Sequence, residues 1–224
     1  PSEQTANLIE TLLGNRDKLS HFDNYRQNTL AIRDFFVCTH GTRDVCCGSF
    51  GYPVYHKLRF QHAANSNETI RAWRTSHIGG HRLAPNVVDM PEGRFWGRVR
   101  ENDLTKLVDR IGLVSDLARF YRGWAGLDSP FEQIAEREAF VRAGWTWTRV
   151  LKSGQLVHLN KSGTRGKVRI NFVDPVKGTS GTYEATVEHS SRSVPSVGCL
   201  NQSEPGEVHN YQLTSFITIY DNGR

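Results

Sequence analysis

Metal-binding residue types are gathered into one stretch of this chain. Three of the four cysteines and five of the nine histidines lie between residues 38 and 81, and neither type recurs until His158. Such a concentration constrains the fold, because donors act together only if the segments carrying them return to one place. Residues 34–39 (Asp-Phe-Phe-Val-Cys-Thr) read as a buried strand that runs into a glycine- and cysteine-rich loop over 40–51. Residues 69–75 read as a second strand, followed by a loop with His77 and His81 around Gly79-Gly80. Adjacent strands of one sheet would bring both loops to the same edge.

The remaining pattern supplies the rest of a domain. A short helix is expected over 4–13, and another over 53–63 with Pro53 in its first turn. Strands over 86–90 and 94–99, separated by Pro91-Glu92-Gly93, read as a hairpin. Leu104, Leu107, Val108, Ile111, Val114, Leu117 and Ala118 suggest one long amphipathic helix over 103–121. The order strand, helix, strand, hairpin, helix is that of a thioredoxin-like domain. A boundary is expected at Gly123–Asp128. Beyond it, Ser129-Pro130-Phe131-Glu132 has the residue types of a helix start, and Gly144 those of its end. Short strand-like runs follow at 145–151, 155–160, 167–173, 181–189 and 208–220. The expected fold class is therefore α+β: a helical segment over 1–28, a thioredoxin-like domain over 29–125, and a helix with a β-rich region over 126–224. The start at Pro1, without an initiator Met, reads as the remnant of a longer chain.

Composition narrows the function. A net charge of +5, with acids interleaved among the bases, is too small to argue for a nucleic-acid protein. No run is apolar and long enough for a membrane span. Four cysteines are too few to staple a secreted scaffold of 224 residues, so a reduced cytoplasmic chain is expected. There, clustered cysteines point to metal or redox chemistry.

Taken singly, the donors are weak signals. A lone cysteine after a strand is usually a small buried hydrophobe. His-x-x-x-His alone seldom marks a metal, and His56 and His62 read as ordinary surface or core residues. The combination carries the weight: Cys38 with Cys46 or Cys47 after one strand, His77 with His81 after the next. Four such donors suit a tetrahedral metal or one cluster. Cys199 reads as an unremarkable thiol, and Trp124, Trp145 and Trp147 as core or domain-interface residues.

Two blocks resemble a known family. Cys38-Thr39-His40-Gly41-Thr42-Arg43-Asp44-Val45-Cys46-Cys47-Gly48 and Trp73-Arg74-Thr75-Ser76-His77-Ile78-Gly79-Gly80-His81-Arg82-Leu83-Ala84-Pro85-Asn86 are similar to the signatures of the sucrase/ferredoxin-like family, as are Gly51-Tyr52-Pro53 and Pro91-Glu92-Gly93. The resemblance implies a thioredoxin-like ferredoxin domain holding a 2Fe-2S cluster. Cys38 and Cys47 would bind one iron, and His77 and His81 the other. Spacing alone does not choose between Cys46 and Cys47; the resemblance favours Cys47.

Such a ligand set has consequences. Neutral imidazoles in place of two thiolates make the centre less negative, so its potential should lie above that of all-cysteine ferredoxins. A ligating histidine keeps one ring nitrogen free to release a proton, so electron transfer is expected to be proton-coupled, with a potential that falls as pH rises. Arg43, Arg74 and Arg82 flank the ligands, and Arg94, Arg98 and Arg100 follow on the hairpin. They could stabilise the reduced centre or dock an acidic partner. The expected role is an electron carrier between an unidentified donor and acceptor rather than a stand-alone catalyst, with a homodimer left open. The alternative is a zinc module using the same four ligands. A thiol enzyme is a third reading, disfavoured by the absence of Cys-x-x-Cys.

Overall fold

Arg33–Cys38 (β1) and Ile70–Thr75 (β2) lie parallel, with Arg33 opposite Ile70 and Cys38 opposite Thr75. Parallel neighbours require a crossover. Here it is the helix Val45–Lys57 (α2), which continues as a π-helical turn, Leu58–His62. Asn86–Met90 (β3) pairs antiparallel with β1, Arg94–Gly97 (β4) with β3, and Tyr121–Trp124 (β5) with β4. The five-stranded order is β2-β1-β3-β4-β5. A parallel β-α-β unit joined through β1 to an antiparallel hairpin is the thioredoxin-like arrangement.

This is a computed structural model, and it describes residues 2–194 and 206–220. They divide into two units, 1–32 and 33–224. In the first, Ser2–Leu13 (α1) precedes a 3-10 stretch, Arg16–Tyr25, whose entry is capped by the Asn15 side chain. The second holds both sheets. Cys199 lies outside the described residues.

Helix α2 begins eight residues earlier than Pro53 suggested, and takes over much of the expected loop. The side chain of Asp44 caps it by accepting from the Cys46 N–H at 2.9 Å. Glycine made this segment look like a loop, but Gly48 and Gly51 are where the helix lies against backbone. A Cβ on Gly51 would strike the Cys38 carbonyl, and one on Gly48 would come within 2.8 Å of the Gly41 Cα.

The long helix expected over 103–121 does not form. It is replaced by the short helix Leu104–Asp109 (α3), a 3-10 turn at Val114–Asp116, and β5. Arg110 and Gly112 take left-handed backbone, with φ of 52° and 72°, and stop α3. Val114 and Leu117 still turn into the core from the 3-10 turn and its end, which is why the apolar spacing imitates a helix.

Pro130–Ala143 (α4) starts where expected, with a capping box at Ser129 and Glu132. It ends at Gly144. The next run, 145–151, is not a strand: Gly144–Arg149 is a 3-10 helix. Leu151–Leu159 (β6), Arg165–Asp174 (β7), Thr179–Val194 (β8) and Gly206–Tyr220 (β9) then form an antiparallel four-stranded sheet in sequence order. In β7 exposed and buried residues alternate along the whole strand, so one face is solvated and the other packs inward.

The two sheets share a core through α4. Ala135, Glu136, Ala139 and Phe140 are fully buried on it. Phe140 meets the Tyr121 ring at 5.2 Å, and Glu136 accepts from Arg94 at 3.1 Å, Tyr121 at 2.8 Å and Trp147 at 2.8 Å. Trp147 is buried in turn against Phe172 and Tyr183 of the second sheet. Among the described residues no helix is long and apolar enough to cross a membrane.

Candidate metal centre

The two parallel strands end at the same edge of the sheet, and their exits carry the donors. Cys38 is the last residue of β1, wholly buried. Cys47 lies in the first turn of α2, also wholly buried, because the cap at Asp44 turns the helix start back over the strand end. His77 follows β2 by two residues, and its N–H donates to His40 Nδ1 at 3.4 Å. The two Sγ atoms and a ring nitrogen of His77 all lie within 4.8 Å of one another. Cys47 Sγ lies 3.7 Å from His77 Nδ1. Among the described residues no other trio of His, Cys, Asp or Glu donors converges in this way.

His81 stands at the rim of this group. Gly79 and Gly80, with φ of 82° and 67°, reverse the chain so that His81 opens a 3-10 turn. Its ring centroid is 6.1 Å from that of His77, and its Nδ1 is 3.9 Å from Asp44 Oδ2. The fourth expected donor is thus beside the trio rather than within it.

Of the vicinal pair it is Cys47 that joins the trio, and both Cys38 and Cys47 are free thiols. Burial, reinforced by the hydrogen-bonded Cys38 thiol and the Asp44 carboxylate, pushes the Cys47 thiol up to about 12. A thiol that resists ionisation, packed with a second thiol and an imidazole, suits a thiophilic or borderline metal, whose charge replaces the proton.

The flanking arginines divide. Arg43, Arg74 and Arg82 are exposed around the loops. The Arg74 guanidinium reaches Thr39 Oγ1 through Nε at 3.2 Å and lies over the Tyr52 ring. It borders a cleft of about 640 Å³ lined also by His40, Thr42, Thr75 and Ser76. Arg98 and Arg100 are exposed too, but Arg94 is fully buried and paired with Glu136, so it presents nothing to a partner.

Three contributors escape a reading of sequence. Asp44 caps α2 and faces His81. Asn86, at the start of β3, donates to the Gly80 carbonyl at 2.9 Å, and Arg122 of β5 donates to Asn86 Oδ1 at 2.8 Å. Asn86 closes the second sequence block and could have been singled out there. Arg122 lies far along the chain and is delivered only by strand pairing.

Two fungal relatives, each called altered inheritance of mitochondria protein 32, share part of the chain. The Meyerozyma guilliermondii protein is 36% identical over 78 residues, 33% of this chain and 27% of its own length. The Candida glabrata protein is 28% identical over 104 residues, 41% of this chain and 32% of its own length. The match thus spans about a third of each relative or less. Two solved structures of a thioredoxin-like [2Fe-2S] ferredoxin from Aquifex aeolicus also align. One is 16% identical, covering 44% of this chain and 96% of that one with a TM-score of 0.37; the other is 18% identical, covering 41% and 97% with a TM-score of 0.34. The sucrase/ferredoxin-like family model matches residues 2–123, more than half of the 224. With both cysteine and histidine blocks inside that span, the chain belongs to the sucrase/ferredoxin-like family.

Proposed function

We propose that Cys38, Cys47, His77 and His81 hold a 2Fe-2S cluster and that the protein carries single electrons between redox partners. One observation carries this reading: the Cys38, Cys47 and His77 donors lie within 4.8 Å of one another at the edge where β1 and β2 end, four residues before His81. Family membership agrees with it. The bound cluster would supply one-electron chemistry; the chain supplies its environment. Cys38 and Cys47 exclude water and give up their protons when metal binds, so loading releases protons. His77 and His81 bind as neutral ligands, which lowers the negative charge of the centre and raises its potential relative to four thiolates. The His81 side chain is 42% exposed at the rim, so a ring nitrogen not bound to metal there meets solvent. The potential is expected to fall as pH rises.

Iron and acid-labile sulfide analysis, with electron paramagnetic resonance of the reduced protein, tests the reading. Equal iron and sulfide with a reduced-state signal is the expected result. The compact donor trio also fits a single ion, which favours zinc as a second reading. A colourless protein with one zinc would establish it in place of the cluster.

A further inference from the structure

Arg33, Arg94 and Arg110 are drawn into the fold and each meets a carboxylate: Asp89, Glu136 and Glu92. Arg122 does not. Among the described residues its side chain has one hydrogen bond, to the neutral Asn86 Oδ1. Half-buried on β5, it loses water without gaining an acid, and burial alone pulls its pKa down. A guanidinium keeps its proton even so. An uncompensated charge of this kind is costly.

Its position is specific. The stem crosses Gly97, where a Cβ would meet Arg122 Cδ at 2.8 Å, and the guanidinium lies flat on Gly80, where a Cβ would meet Nη2 at 2.7 Å. Gly80 precedes His81. The Gly80 carbonyl accepts from Asn86 Nδ2, and Asn86 accepts from Arg122, so one chain of contacts runs from β5 to the turn between His77 and His81. Two glycines thus leave room for a positive charge directly under the histidine loop.

We infer that Arg122 is the built-in counter-charge of the metal centre, a positioning residue that braces the His77–His81 turn through Asn86 and Gly80 and favours the centre's electron-rich state. This rests on the reading of Cys38, Cys47, His77 and His81 as ligands. The thiolates formed on metal loading, and then the added electron, provide the negative charge that Arg122 lacks in the bare chain. The electron comes from an external one-electron donor, and no bond forms or breaks at Arg122. Nearby charge is one of the levers that set such potentials, and a half-buried charge is poorly screened by salt.

The test is protein-film voltammetry of the full chain, comparing Arg122→Gln and Arg122→Lys with wild type at low and high salt. Arg122→Gln is expected to shift the potential downward, the shift persisting at high salt, while Arg122→Lys retains most of the wild-type value. Equal potentials in all three proteins, or equal shifts in both variants, would overturn the inference. Should Arg122→Gln fail to fold, Gly80→Ala displaces the guanidinium instead, and the same downward shift is expected; no shift overturns the inference. Iron and sulfide in the wild type are read first, so that failure of the cluster and failure of Arg122 are separate results. In a zinc-holding protein, chelator competition replaces voltammetry: Arg122→Lys is expected to hold the ion more tightly than Arg122→Gln, and equal retention overturns the inference.

Discussion

The seam beneath α4 and the rim around Cys38 both take polar groups out of water, but only the seam answers them from within the chain. In the seam, Glu136 receives Arg94, Tyr121 and Trp147 together, and the Arg94 guanidinium also lies over the Phe140 ring at 4.4 Å. At the rim, two thiols face each other and an imidazole, and Arg122 has no acid. The first region pairs its buried acid and base within the polypeptide, although Arg94 Nε and Nη2 have no hydrogen-bond partner among the described residues, whereas the second has no such pair of its own. Burial of polar groups therefore serves cohesion in one place and reception in the other.

The sharpest way to break this contrast is Glu136→Ala. It strands Arg94 as a buried charge and should cost about 3–5 kcal/mol in denaturant unfolding; a loss of a few tenths would mean that the seam is not closed as described. At the rim, the raised Cys47 thiol predicts slow chemistry in the metal-free protein. With its pKa pushed up to about 12, alkylation of the Cys47 peptide at pH 8 should be about 10³-fold slower than after unfolding, as read by mass spectrometry. A rate equal to that of the unfolded chain would remove the buried thiol pair from the argument. Cys47→Ser should weaken metal retention by more than about 100-fold in chelator competition. The metal-free variant should unfold within about 1 kcal/mol of the wild type, because the rim contributes little cohesion of its own.

Two smaller effects depend on pH. Lys152 sits over the Trp124 and Trp147 rings at the edge of the seam, and burial lowers its pKa to about 8. The unfolded chain keeps the ordinary, higher value, so between the two the unfolded state binds more protons and stability rises with pH. Lys152→Met should abolish that rise. Asp34, by contrast, is held low by its bidentate hydrogen bonds from Arg71 and one from Trp73. Its contribution is present above the ordinary carboxylate range and is lost as pH falls through the lowered value. Asp34→Asn should flatten the acid limb slightly, and a large effect would show that the exposed edge strand matters more than the seam.

How much of this was readable beforehand follows from range. Strands β1, β2 and β3 and the cap of α4 depend on local runs of apolar residues and on Ser129 with Glu132, and they lie where the sequence places them. The donor-rich stretch also announces itself, because cysteine and histidine are scarce elsewhere. The helix over 103–121 misleads because helical spacing describes which residues turn inward, not the backbone that turns them, and Arg110 gives no composition cue for left-handed geometry. Pro53 misleads for the opposite reason. It is common in a first turn, yet here it lies inside a helix already started by Asp44. Arg94 and Arg122 are alike in sequence and opposite in environment, since Glu136 reaches one and only Asn86 reaches the other.

Gly51 sets a gauge. By letting α2 rest directly on the carbonyl of Cys38, it makes the interval between the first two donors a matter of backbone against backbone. Thr42 and Arg43, on the loop between them, are exposed and do not define that interval. Their side chains can therefore drift, changing what approaches the centre from outside, while the distance between its sulfurs is inherited unchanged.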